Sequence, residues 1–552
     1  MNRRAELLIS GRVATLAGDD GFGWAQGIAI VDGRVLAVGP MSELESLAGP
    51  DTTRWMLPSD QLVMPGITDA HLHLMTLTLA ADHIDVTGLD LDAALDAVSA
   101  RHRSMLDAGD DDGWLFGHGW SAHDLGSWPD AAMLERVAPG RPAELVAHDH
   151  HASWLSVAAL RAAGITAATA DPEGGVLRRD ADGQPTGILH ETAGALVESA
   201  IPEPPDSFVE QSLARVAQQL AALGLTGCHD PGELSADTQI IRGPMFYRRL
   251  AGEDRLPMRV HASVRAPQLK RAIELGLRSG ASVGRYTMGW LKLFADGSLG
   301  SRSAALLAPY DDAATNPPTG GPSGMFLTSP EDLAELAARA EENGISVQIH
   351  AIGDAAARAV LDVFESLRPQ PRGLPLMRRM EHAQLVDPQD QPRFGGLGVA
   401  ASVQPVHLRS DIPQIKLGWG ERGEYAIPLR GILDGGALIP FGTDAPVEQP
   451  DPWPGIATAL VRRDPADESA KPVGARQAID LARAIRGACL DPALVAGQTD
   501  LGHLTPGARA DLLIVPATGF GEHLDAAALA ATRPLATLID GQVVHRAARF
   551  DP

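Results

Sequence analysis

Apolar and polar positions alternate with two different periods along this chain, and the period changes with location. Near the start, "GIAIVDGRVLAVGP" is two runs of period two joined at Asp32-Gly33, a strong hairpin signal. Near the end, "ADLLIVPA" and "ATLIDGQVVHR", the latter turning at Asp540-Gly541, repeat that pattern. Between them, short apolar runs alternate with stretches of period near 3.6. "FVEQSLARVAQQLAALG" and "SPEDLAELAARAEENG" are such helical stretches, and in the second Ser329 precedes Pro330 at the first helical position. Eight runs read as strands: "LVMPGITDAHLH", "LTGCHD", "PMRVHASV", "TMGWLKLFADG", "GISVQIHAIGD", "MRRMEHAQLV", "GVAASVQPVHL" and "ALIPFGTDAPV". Strand–helix alternation implies a parallel sheet, and eight units imply a closed (β/α)8 TIM barrel.

The pattern predicts three regions. Residues 1–61 and 492–552 form a small β-sandwich-like domain from both termini. Residues 62–491 form the barrel, and residues 82–202 an insertion after its first strand, carrying "WLFGHGW", "DHHASWLS" and the hairpin-like "GGVLRRDADGQPTGIL". The insertion is expected over the barrel mouth.

Composition narrows the class. The 552 residues are 45% hydrophobic, enough for a sizeable core, and carry a formal net charge of −24. Such acidity disfavours nucleic acid and anionic membranes as partners, both being polyanions. Two cysteines, Cys228 and Cys489, make no disulfide framework. No signal-peptide core or span-length apolar run is evident. The expectation is a cytoplasmic, soluble protein with a small-molecule substrate; a homodimer is the default assembly.

Barrel sites lie at the C-terminal ends of the strands. There the sequence places His71 and His73 on the first strand, Lys292 within the fourth, His350 on the fifth, His382 on the sixth and Asp444 after the eighth. His71 and His73 stand two apart, so strand alternation predicts that both face the barrel interior, where neutral imidazoles can bind a divalent ion such as Zn2+. Plainer readings stand beside these. Lys292 could pair with Asp296, Asp444 could be a turn aspartate before Pro446, and Asp354 could be a helix N-cap. Glu381, adjacent to His382, is expected on the opposite face, solvated or structural. His229 and Asp230 end the second strand and are candidates to face the site. His118, Trp120 and His151 either line a pocket or pack the insertion. Ser298, Ser301 and Arg302 lie near the mouth, Arg302 holding a substrate carboxylate or a structural ion pair.

Taken in order, "PGITDAHLH", "KLFADGSLGSRSA", "QIHAIGD", "EHAQLV" and "FGTDAPV" resemble the metal-dependent amidohydrolase superfamily. Within it they are similar to the amidohydrolase-3 branch, which includes N-substituted formamide deformylase-like proteins. The likeness extends to "LGHLTPGARADLLIV" near the end. It implies that His71 and His73 hold one metal and His350 and His382 a second. It further implies that Lys292 is carbamylated by CO2 and bridges the two, and that Asp444 is both ligand and general base. The metals are expected to be two Zn2+, although histidine and carboxylate suit Mn2+ and Fe2+ as well. "DHHASWLSVAAL" matches in part: His151 is present, but Ser156 stands where the branch has asparagine.

The implied reaction is hydrolysis of a C–N bond, most simply a non-peptide amide. Lactone, carbamate or phosphoester hydrolysis on the same centre is the alternative within enzymes, because fold and ligands do not set the substrate. A non-catalytic metal-binding or regulatory protein is the alternative outside them.

Overall fold

The computed structural model describes residues 4–18, 21–147, 152–172, 175–198, 200–232, 241–318, 320–370, 373–521 and 524–552. The chain forms two compact units: Met1–Leu77 with Ala214–Pro552, and Thr78–Leu213. Among the described residues no helix is long and apolar enough to cross a membrane.

In the first unit both chain ends share one mixed eight-stranded sheet. Five strands come from the N-terminal part and Leu512–Pro516, Ala536–Ile539 and Gln542–Arg546 from the C-terminal part. Gln61–Pro65 joins the halves, running parallel to Leu7–Ala14 and antiparallel to Leu512–Pro516. The two predicted hairpins turn at Asp32-Gly33 and Asp540-Gly541, all four residues having positive φ as a tight primed turn requires. Buried Ile9, Val13, Ile28, Val63, Leu512, Ile514 and Leu538 form its core.

The same unit holds an eight-stranded sheet in which seven strands run parallel in chain order: β1 (Ile67–Asp69), β2 (Leu225–Asp230), β3 (Arg259–Arg265), β4 (Tyr286–Phe294), β5 (Val347–Ala351), β6 (Arg378–His382) and β7 (Val399–Ser402), with the short Ser282–Val283 antiparallel to β4. The fold is therefore mixed α/β. Helix Pro330–Glu342, capped by Ser329, connects β4 to β5, and helix Asp354–Ser366 connects β5 to β6. Arg378 on the outer face of β6 makes a buried two-pronged ion pair with Glu341 of the first helix, each contact 2.6 Å. The cap of the second helix is Gly353, not Asp354; the Asp354 carboxylate instead accepts the Leu307 N–H.

Two strand expectations change. The run from Leu62 splits at Gly66: Gln61–Pro65 belongs to the terminal sheet and β1 to the parallel one. A Cβ at Gly66 would stand 2.4 Å from Thr226 Oγ1, so only glycine lets the chain pass so close to β2. The eighth run, 437–447, is not a regular strand. It is bonded on both sides, through Val403 N–H to Pro440 O and Ala70 N–H to Phe441 O. Pro440 has no N–H, and those of Ile439 and Phe441 go to Asp491 and Gly487, so no continuous ladder forms.

The second unit, where an insertion over 82–202 was expected, has its own six-stranded sheet in the order Gly175–Arg179, Pro185–Glu191, Ala152–Leu155, Ala143–Ala147, Leu115–Trp120, Ile84–Asp85. The hairpin-like stretch is indeed an antiparallel pair. Helices Leu91–Asp107 and Ala131–Val137 contribute Leu95, Val98 and Leu134 to its core.

Candidate metal centre

His71 and His73 lie just past the end of β1, not on it. The segment bends at Ala70 and His71 and is held by its N–H groups: His71 N–H bonds Asp69, Leu72 N–H bonds His229 O and His73 N–H bonds Ala445 O. Asp69 also accepts the Thr443 N–H and hydroxyl, tying this turn to the loop that carries Asp444. The donor atoms of His71, His382 and Asp444 lie within 4.8 Å of one another, and all three residues are buried. Asp444 Oδ1 is 3.5 Å from His71 Nε2 and 3.2 Å from His73 Nε2. Two donors each ~2.1 Å from one tetrahedral ion stand ~3.4 Å apart, so these spacings fit a shared cation without rearrangement.

The other nitrogen of each ring is held. His71 Nδ1 meets Glu381 Oε2 at 2.5 Å, His73 Nδ1 meets Gly232 O at 2.5 Å, and His382 Nδ1 meets Gln404 Oε1 at 2.8 Å. Each acceptor favours the Nδ1–H tautomer and leaves the Nε2 lone pair for a ligand role. Burial, helped by Lys292, pushes His71 down to about 4. Burial also holds His382 well below the usual histidine range. Both are therefore neutral, the form that binds a metal. Burial opposes ionisation of Asp444, but the surrounding imidazoles outweigh it and hold its carboxyl well below the usual carboxylate range. His382 (φ 74°), Ala383 (φ 42°) and Asp444 (φ 62°) all have left-handed backbone, rare for side-chain-bearing residues and concentrated here at the cluster.

Lys292 is 1% exposed, and its Nζ has no hydrogen-bond partner. Burial lowers its pKa to about 8. Asp296, the alternative partner, is occupied by the N–H groups of Ala305, Ile352 and Gly353. The His350 ring centroid is 4.5 Å from that of His382, and its Nε2 is 3.1 Å from Gly297 O.

A profile of the amidohydrolase family matches residues 59–545. The chain belongs to the amidohydrolase family. It is 30% identical over 528 residues to amidohydrolase YtcJ of Bacillus subtilis, covering 94% of this chain and 96% of that one. It is 28% identical over 542 residues to the N-substituted formamide deformylase of Arthrobacter pascens, covering 92% and 93%. An uncharacterized metal-dependent hydrolase from Pyrococcus furiosus superposes with a TM-score of 0.73 at 25% identity, covering 92% and 98%. This amidohydrolase is accordingly an enzyme, a hydrolase.

The surroundings of several residues of this family member choose between alternatives that the sequence left open. Glu381 is neither solvated nor turned away: it is fully buried against His71 and Arg379. Arg379 and Glu381 share the inner face of β6, and the left-handed backbone at His382 breaks the alternation so that His382 turns inward too. His229 is 2% exposed, and its Nδ1 is taken by Arg379 Nη1 at 2.8 Å. It thus ends a buried chain, His71–Glu381–Arg379–His229. Arg302 forms the ion pair rather than an open anion site: Asp312 lies at 2.6 Å, with Asn316 O at 2.9 Å and the Tyr310 ring beneath.

Within the second unit, Trp120 is 1% exposed, gives its indole N–H to Leu145 O and packs on Trp154; it is a core residue there. Ser156 caps helix Val157–Ala162 and also bonds Ala143 and Arg141, which accounts for a small hydroxyl at that position. His151 lies outside the described residues.

One cluster member escaped the sequence reading. His407, following β7, has Nε2 3.8 Å from Asp444 Oδ2. Its only signal was a polar residue after a strand end, in "QPVHL".

Proposed function

We propose that this amidohydrolase-family enzyme hydrolyses a C–N bond, most simply a non-peptide amide of a small molecule, at a divalent metal centre built on His71, His73, His382 and Asp444. The observation that carries this is the convergence of buried imidazoles, those of His71 and His382 held neutral by burial, and one anionic carboxylate at ligand–ligand spacing. A divalent cation held there would supply Lewis acidity toward water and toward a carbonyl oxygen. Asp444, ionised and edged by imidazoles, takes the proton from the attacking water and delivers it to the departing nitrogen, which an amide requires because an amide anion is a poor leaving group. The amide class is favoured because a relative spanning nearly the whole chain is named as a formamide deformylase.

We extend the reading to two Zn2+, with His350 and His382 on the second and Lys292 between them. The Lys292 amine is buried, unpartnered and shifted toward its neutral form. Addition of CO2 to that neutral amine would form an N–C bond, release the one proton the nitrogen gives up and leave an anionic carbamate with two donor oxygens. We further infer that the parallel sheet closes as a (β/α)8 barrel through 437–444, since that segment is bonded to both β7 and β1 sides.

The test is zinc analysis of the purified chain together with a panel of N-alkyl and N-aryl formamides and amides. Bound zinc, turnover lost to a chelator and turnover regained with zinc are expected. A zinc-loaded chain inert to the whole panel, or a zinc-free chain of full activity, would refute the proposal.

A further inference from the structure

We propose that His407 is a further catalytic residue, donating an Nε2–H bond to the oxygen of the scissile carbonyl. This rests on the hydrolytic reading above. His407 is the first residue of helix His407–Gln414 and the only imidazole of the cluster described here whose inward nitrogen faces Asp444 from the β7 side. Its Nε2 is buried and has no hydrogen-bond partner. The ring lies nearly parallel to that of His382, 15° apart with centroids at 6.3 Å. The side chain as a whole remains 12% exposed.

The carboxylate oxygen 3.8 Å away decides which hydrogen the nitrogen carries. A lone pair aimed at an anionic oxygen is repelled, whereas an N–H is attracted. At 3.8 Å the two are too far apart to hydrogen-bond and too close for another atom to stand between them, so the N–H stays available only to an acceptor that approaches the ring from beside Asp444. A carbonyl oxygen meets that requirement, and the negative charge it gains in the transition state makes it a stronger acceptor there than in the ground state. The geometry differs from that of His71 and His382, whose Nδ1 atoms are locked by Glu381 and Gln404 in the ligand orientation.

The test uses the zinc-loaded full chain with His407→Phe and His407→Asn, assayed on N-phenylformamide or whichever panel amide the wild type turns over. Zinc content and the zinc dissociation constant, measured by chelator competition, should stay within about threefold of wild type in both variants, while kcat in the Phe variant falls ~10²–10³-fold with KM little changed. Asparagine, which still offers an N–H, should recover at least about tenfold of that loss. Zinc lost from the Phe variant would make His407 a ligand and overturn the proposal. So would a Phe variant retaining kcat, or an Asn variant no faster than the Phe variant. Absence of zinc in the wild type is scored before any variant is made, and overturns the metal reading itself along with this one.

Discussion

Glutamine at position 381 would keep the volume of Glu381 and one acceptor oxygen while removing its charge. In the native chain that carboxylate is fully buried, accepts N–H bonds from Arg379 at 2.9 and 3.1 Å, and stands 2.5 Å from His71 Nδ1. Burial alone would push its carboxyl up, but Arg379 and His71 outweigh burial and hold it well below the usual carboxylate range. Two effects of Glu381→Gln are expected. Loss of the anionic partner weakens His71 as a ligand, and outer partners of this kind contribute ~10–100-fold in metal affinity, about 1.4–2.7 kcal/mol. The metal-free chain is also destabilised, because Arg379 loses its carboxylate partner. Breaking a buried pair costs ~3–5 kcal/mol. Arg379 keeps Ala70 O at 2.7 Å, Ser402 Oγ at 2.8 Å and His229 Nδ1 at 2.8 Å, so the lower end is expected. Zinc affinity is read by competition with a chromophoric chelator, and stability by urea unfolding of the metal-free chain. A glutamine variant that binds zinc as tightly as wild type refutes the role assigned to the Glu381–His71 contact. Unchanged unfolding with weakened zinc binding refutes only the energetic part.

Asp444→Asn should retain the fold and lower kcat by ~10²–10⁴-fold, since asparagine can neither accept the water proton nor return it; circular dichroism and steady-state kinetics check both halves. Labelled bicarbonate should give a carbamate carbon signal in the 13C spectrum of the wild type that is missing from Lys292→Met. In the metal-free chain, the native Lys292 amine releases its proton near 8 and the unfolded amine near 10.5, so stability should rise with pH across that window and Lys292→Met should lack the rise. His83, stacked on Phe116 in the second unit, is held down to about 4 by burial. Below its ordinary value near 6.5 the unfolded chain binds a proton that the native ring refuses, so stability should fall on acidification from about 6.5 to about 4. His83→Gln should flatten that slope in a calorimetric pH series.

Much of the candidate site was nominated from the sequence, because strand–helix alternation converts position along the chain into position at one end of a parallel sheet. Hydrophobic period distinguishes strand from helix, alternation of the two implies a parallel sheet, and polar residues at strand ends then fall at one rim. His71, His73, Lys292, His350, His382 and Asp444 were nominated on that logic and on resemblance. The terminal hairpins were legible for a local reason, since Asp-Gly tolerates the positive φ that the turn demands.

What period cannot reach is any point where the backbone leaves its regular path or where a partner comes from far along the chain. Glu381 was assigned outward by alternation, and the left-handed turn at His382 cancels alternation at that step. The eighth run was read as a strand, but Pro440 and the distant acceptors Asp491 and Gly487 take its ladder apart. Arg302 looked equally suited to a ligand or an ion pair until Asp312 was found beside it. His229 and Arg379, 150 positions apart, meet only because the fold brings the side chains of β2 and β6 together. By itself the sequence determined which chemistry-bearing residues exist and which elements carry them, because those follow from short-range steric and hydrophobic preferences. Only the tertiary structure decided which side chains pair, which remain free and which turn inward, because those depend on contacts between segments hundreds of residues apart.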